Sequence, residues 1–232
     1  MAGAVEFVKA EARALPVVLL LDRSASMGGE RIDILNRSVE TMLRDFSENG
    51  EVNADIKVAI ISFGYGEAKL EVPLTSAGQV EYTPLVASGN TPLGAALKLC
   101  KQLVEDREVI PSRSYRPTII LVSDGYPNDQ WEGTLEQFIQ TGRTAKCERW
   151  GLAIGDGCDE QMLRKFIGND EQLLFKAENV SQIAKFFKTV TMSTIARTQS
   201  KTPNATVYPT QEKTQNMFSE VEKLELEEED DF

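Results

Sequence analysis

Histidine is absent from all 232 residues. That removes Ser-His-Asp and Cys-His catalysis and takes away the usual nitrogen ligand of zinc. Cysteine is scarce, with only Cys100, Cys147 and Cys158, odd in number and widely spaced. Such a set builds no disulfide framework and suits reduced, packed thiols in a cytoplasmic protein. Basic residues are in deficit, 25 against 36 acids, for a net charge of −11. Nucleic acids and anionic membrane surfaces require a positive footprint, so neither is expected as the direct partner. No apolar run approaches membrane-spanning length, since the longest, residues 15–21, contains Pro16 and stops at Asp22. The opening MAGAVEFVKAEARALP carries acids and no apolar stretch followed by a cleavage site, so no signal peptide is expected. A Gly-x-x-x-x-Gly-Lys phosphate loop and a Gly-x-Ser-x-Gly elbow are also missing.

What remains is ordinary for a globular chain, with 41% hydrophobic and 26% charged residues and a length that suits one large α/β domain. The charge is uneven. Residues 201–232 hold nine acids and three lysines, a net −6, leaving −5 for the 200 residues before them. We therefore expect an extension at residues 1–14, a domain over 15–196 and an acidic, flexible tail over 197–232.

Apolar runs at 15–21 (LPVVLLL), 56–63 (IKVAIISF), 117–122 (PTIILV) and 149–154 are short and branched, as strands buried on both faces are. Residues 69–74 alternate, which fits a half-buried hairpin partner after the Gly64-Tyr65-Gly66 turn, and 173–175 reads as a last strand. Between them lie helical patterns. Ile32, Leu35, Val39, Met42, Leu43 and Phe46 form one stripe, which Asn49-Gly50 ends. Leu93, Ala96, Leu97, Cys100, Leu103 and Val104 form a second stripe behind Thr91-Pro92, with Thr91 placed to cap it. Further helices are expected over 131–145, from about Asp159, and over a last segment that turns Ile183, Phe186, Phe187, Val190 and Ile195 inward. The alternation predicts a doubly wound, mostly parallel six-stranded sheet with one antiparallel edge strand and helices on both faces. Ligands of such sheets sit beyond the carboxyl ends of the strands, where the strand order reverses. Asp22 and Asp124 each follow a buried strand and are candidates for that crevice.

Three segments carry oxygen donors to it: Asp22-Arg-Ser24-Ala-Ser26, Gly89-Asn-Thr91-Pro, and Ser123-Asp124-Gly125. In an extended loop, residues two apart point the same way, so Asp22, Ser24 and Ser26 converge while Arg23, Ala25 and Met27 turn elsewhere. Each segment alone has a plainer reading as a polar loop, a helix cap or a turn. Together they offer two carboxylates and three hydroxyls, a donor set for a hard cation such as Mg²⁺, with Mn²⁺ and Ca²⁺ as alternatives. Neutral hydroxyls leave such an ion underneutralised, so it attracts one more anionic oxygen from outside, such as a partner's Asp or Glu.

The order Asp-x-Ser-x-Ser, then Thr, then Asp resembles the metal-ion-dependent adhesion site of the von Willebrand factor A family. It matches Asp22, Ser24, Ser26, Thr91 and Asp124 without departure. The resemblance covers about residues 15–196. Gly29-Glu-Arg-Ile and Ser123-Asp-Gly-Tyr-Pro-Asn-Asp are similar to bacterial TerY-type members, which are associated with tellurium resistance and stress. The resemblance implies a Rossmann-like fold, Mg²⁺ at the sheet crest, and a protein-binding module of a stress or phosphorylation-signalling system rather than an enzyme. Two other classes stay open: a metal-dependent hydrolase or phosphatase with Asp22 as nucleophile, and a metal-independent scaffold acting through its tail.

Other residues invite weaker readings. Asp129 reads as a solvated loop acid, Asp159 as a helix cap, and Cys158 as a packed thiol. Tyr65, Tyr126, Trp131 and Met27 fall near the crest as candidates for an apolar rim. An acid among residues 225–231 is placed to reach the metal in the same molecule or in a second copy, a route to self-association.

Overall fold

The computed structural model describes residues 12–49, 54–168 and 170–208. The acidic run at 225–231, most of the N-terminal extension and the Gly50 helix stop lie outside the described residues.

Six strands form one sheet: β1 (Arg13–Asp22), β2 (Ala54–Gly64), β3 (Glu67–Ser76), β4 (Thr118–Ser123), β5 (Glu148–Ile154) and β6 (Leu174–Ala177). Their spatial order is β3-β2-β1-β4-β5-β6. Every pairing is parallel except β2 with β3, which puts the antiparallel strand at an edge as the alternating 69–74 pattern predicts. β1 and β4 run through the middle, and Leu15, residues 17–21 and residues 118–123 are fully or almost fully buried. The chain leaves β1 toward β2 on one side and returns to β4 on the other. The order therefore reverses between β1 and β4, beside Asp22 and Asp124.

Five helices cover the sheet: α1 (Glu30–Asn49), α2 (Leu93–Glu105), α3 (Glu132–Gln140), α4 (Glu160–Ile167) and α5 (Val180–Gln199). α1 packs on α5 on one face, while α2, α3 and α4 follow one another on the other. α1 and α5 face the sheet through the residues their stripes predict, including Leu35, Val39 and Phe46 from α1 and Ile183, Phe186 and Val190 from α5. Asp159 caps α4 as expected, accepting from the Met162 amide. The helix expected over 131–145 stops at Gln140, because Gly142 takes a left-handed φ of 73°, and a short 3₁₀ turn follows at Thr144–Lys146.

The expected tail boundary at 197 falls inside the fold. α5 continues to Gln199, and residues beyond it lie against the amino-terminal ends of the strands. There the Arg197 guanidinium is fully buried. It donates to Glu148 Oε2 at 2.8 Å, to Thr118 Oγ1, to the Arg116 carbonyl at 2.8 Å and to the Pro203 carbonyl at 2.8 Å. Asn204 accepts from the Arg116 amide, Ser193 donates to the Val207 carbonyl, and the Tyr208 hydroxyl donates to Asp170. No helix among the described residues is long and apolar enough to cross a membrane.

Candidate metal centre

The loop after β1 is shaped by Asp22 itself. Its Oδ1 accepts the Ser24 amide at 2.8 Å and its Oδ2 accepts the Ser123 hydroxyl at 2.6 Å. The chain then turns through a 3₁₀ step, Ala25–Met27, rather than running extended. The step brings Ser24 Oγ and Ser26 Oγ to 3.0 Å from each other, so the convergence expected from alternate spacing arises from a tighter turn. Ser26 Oγ donates to Asp124 Oδ1 at 2.7 Å. Four of the five sequence-selected residues are thus joined in one hydrogen-bonded chain across the β1–β4 crevice.

Thr91 completes the set by position. A Cβ added at Gly125 would lie 3.6 Å from Thr91 Oγ1 and 3.9 Å from Ser26 Oγ, so both hydroxyls border this glycine. The Ala25 amide donates to the Gly89 carbonyl, and the Asn128 amide to the Thr91 carbonyl, tying the three loops together. Asp22, Ser24, Thr91 and Asp124 are all buried.

Thr91 is not the cap of α2. The helix starts at Leu93, and Asp129 caps it from the following loop, its two oxygens accepting the Gly94 and Ala95 amides at 2.9 Å each. Asp129, expected as a solvated loop acid, is therefore a structural residue, and the Thr91 hydroxyl is released from capping duty. The loop that carries Asp124 also holds the helix that follows Thr91. Asp129→Ala is expected to lower stability by about 1–2 kcal/mol, the range for a lost helix cap, as read by urea unfolding.

Two residues of the site escaped sequence reasoning. Ser123, the last residue of β4, anchors Asp22. Arg31, from the first turn of α1, places Nη1 2.7 Å from Asp124 Oδ2. Alternation within the buried strand gave no hint that Ser123 would turn toward Asp22, and a lone arginine in a helix start is usually solvated.

Asp22 is the electrostatic anomaly. Burial pushes its carboxyl up from 3.8 to about 6, and the adjacent Asp124 charge adds to this, against the hydrogen bonds from Ser123 and Ser24. A raised acid holds its proton in the folded state at pH values where the unfolded chain has lost it. Folding stability therefore falls as pH rises through the window from about 4 to 6, and the full cost is present above it. Two units amount to about 3 kcal/mol. In EDTA, the stability of the wild-type chain relative to Asp22→Asn is expected to drop by about that amount between pH 4 and 7. Parallel curves for the two proteins in chemical denaturation would refute it.

The donor chemistry fits a hard cation. No group of three or more His, Cys, Asp and Glu comes together among the described residues, so the crest holds no nitrogen–sulfur site. It holds two carboxylates, one of them buried at a cost and hydrogen-bonded only by neutral donors, within a cluster of hydroxyls. Cys158 donates to the Ser123 carbonyl, and burial pushes its thiol up to about 12, as a packed cysteine requires.

Comparison with known proteins decides the family. The model of the von Willebrand factor type A domain matches residues 17–189. The chain belongs to this family. The match begins inside β1 and ends inside α5, so it contains all five crest residues. Among solved structures, proximal thread matrix protein 1 from the mussel byssus, with a zinc-occupied MIDAS motif, superposes with a TM-score of 0.60 at 18% identity, covering 78% of this chain and 45% of that one. The ArnB paralog VWA2 from Sulfolobus acidocaldarius gives 0.57 at 18% identity, with the same coverage of 78% and 45%. The pilus adhesin SpaC from Lactobacillus rhamnosus GG gives 0.64 at 16%, covering 81% and 30%. This chain spans less than half the length of each of these neighbours, and at such identity they share its fold. No curated protein matches the sequence.

Proposed function

We propose that this von Willebrand factor A domain binds one divalent cation, Mg²⁺ in the cell, through Asp22, Ser24, Ser26, Thr91 and Asp124, and uses it to recruit a protein. The observation that carries the reading is the continuous hydrogen-bonded chain from Asp22 through Ser24 and Ser26 to Asp124, built from segments about 100 residues apart. A cation held there supplies positive charge and an open coordination position to a carboxylate of the partner. Asp22 and Asp124 provide the charge, and the three hydroxyls orient without neutralising. Ser123 fixes Asp22, and Arg31 shares Asp124.

The zinc-occupied motif in the mussel neighbour supports a divalent ion at a crest of this kind. Magnesium is our choice for this chain because all the donors are oxygens. We read the domain as a binding module rather than an enzyme. The chain has no histidine for acid–base work, and the arginine that reaches the crest is already paired with a carboxylate. The similarity of Gly29-Glu-Arg-Ile and Ser123-Asp-Gly-Tyr-Pro-Asn-Asp to TerY-type members leads us to propose a role in a bacterial, cytoplasmic stress or tellurium-resistance system.

Isothermal titration with MgCl₂ tests the first half. One site per chain, with an affinity at or tighter than millimolar, is the expected result. Pulldown from host lysate in Mg²⁺ and in EDTA tests the second: partners retained equally in both would favour the metal-independent scaffold. Phosphatase turnover that requires Mg²⁺ and vanishes in Asp22→Asn would favour the enzyme.

A further inference from the structure

The crest displays an apolar surface that the fold does not need. Among the described residues, six large hydrophobic side chains are exposed, and the three most exposed are Val86 at 72%, Tyr65 at 71% and Tyr126 at 67%. All three lie on loops around the candidate metal centre. The other two rim candidates named from sequence do not join them: Met27 is fully buried and Trp131 packs against the core.

Tyr65 is the informative member. It occupies the first position of the two-residue turn between β2 and β3, with φ of 55°, followed by Gly66 at 81°. Two successive positive φ values are the mark of a hairpin turn that prefers Asn, Asp or Gly at its first position. For a bulky residue such a φ is an outlier, and among the described residues Tyr65 is the only non-glycine that has it. Its backbone is held there: the Tyr65 amide donates to the Ser88 carbonyl at 2.9 Å, and a Cβ on Gly89 would come within 2.4 Å of Tyr65 Cα. Gly89 in turn accepts the Ala25 amide, between Ser24 and Ser26. The ring therefore stands one loop away from the proposed metal ligands, exposed, on a strained backbone that Asn or Gly would relieve. Val86 lies on the same loop as Ser88, two residues before it, and its carbonyl takes Arg23 Nη1 at 3.4 Å. Tyr126 stands across the crevice, two residues after Asp124. Strain kept at an exposed aromatic, where it brings no packing, points to binding.

Resting on the metal-centre reading, we infer that Tyr65, Val86 and Tyr126 form a two-sided apolar rim that selects a partner segment whose Asp or Glu is flanked by aliphatic or aromatic side chains. The metal fixes the acid and the rim reads its neighbours.

The test uses the full chain and two blocked, fluorescein-labelled peptides, Gly-Gly-Leu-Glu-Phe-Gly-Gly and Gly-Gly-Ser-Glu-Ser-Gly-Gly, with anisotropy read in 5 mM MgCl₂. The apolar-flanked peptide is expected to bind about fivefold or more tightly than the serine-flanked one, since each buried apolar group adds a factor of this size. Tyr65→Asn is expected to erase most of that preference, leave Mg²⁺ affinity unchanged, and raise Tm by about 2–4 °C as the turn relaxes. Tyr126→Ser should erode the preference from the other side without the gain in Tm. Bound Mg²⁺ with equal affinity for the two peptides, with no binding of the apolar one, or with a preference that survives both substitutions overturns the rim. Absence of Mg²⁺ binding by the wild-type chain overturns the metal reading beneath it.

Discussion

Asp22→Asn is expected to remove cation binding while leaving a chain that folds better than its parent in EDTA. The amide is isosteric with the carboxylate and still accepts the Ser24 amide. The Ser123 hydroxyl, which now donates to Oδ2 at 2.6 Å, reverses and accepts from the new NH₂. What disappears is a charge whose burial pushes its pKa to about 6. The metal-free variant should therefore be more stable at neutral pH, with Tm higher by several degrees. Affinity for Mg²⁺ should fall at least a hundredfold, since even residues that only orient a ligand are worth about 10- to 100-fold. Titration calorimetry for the ion and scanning calorimetry in EDTA read the two halves separately. A variant that binds Mg²⁺ as the parent does would remove Asp22 from the site. A variant that loses both the ion and the fold would show a structural carboxylate instead.

The second large effect lies at the opposite end of the sheet. Arg197→Met should cost about 3–5 kcal/mol, because it leaves Glu148 buried and charged without its closest cation. Glu148 keeps Thr118 and a longer contact to Arg116 at 3.3 Å, which soften the loss without cancelling it. The double change Arg197→Met with Glu148→Leu should recover most of the stability, as apolar replacement of both partners of a buried pair often does. Urea denaturation of the four proteins measures the coupling directly. A single-variant loss below about 1 kcal/mol would show that water reaches the pair and screens it.

These two ends differ in how far they could be read from sequence. The six strands, the antiparallel edge and the meeting of Asp22, Ser24, Ser26 and Asp124 at the crest were legible because each rests on a local signal: apolar runs ending at an acid, an alternating hairpin partner, and oxygen donors in fixed order. Arg197 was not legible. It sits where hydrophobic periodicity fades, and nothing near it in the chain shows that its partners are Glu148, Thr118 and Pro203. Asp129 failed for the same reason, since a carboxylate 35 residues downstream of Gly94 caps α2 while the nearer and better-matched Thr91 does not. Side chains that act across the fold leave no trace in local spacing. The Ala25–Met27 turn shows the converse case, in which a right convergence was predicted from the wrong backbone geometry.

Because the switch point divides the five proposed donors among segments that end β1, precede α2 and follow β4, no early stretch of the polypeptide contains them all. During synthesis from the amino terminus, a nascent chain cannot chelate until Asp124 has cleared the ribosome and β4 has slotted beside β1. On the proposed reading, ion capture then marks the pairing of β4 with β1, before β5 and β6 complete the sheet. Truncations ending before residue 124 should be silent toward the metal, however well their first strands have paired.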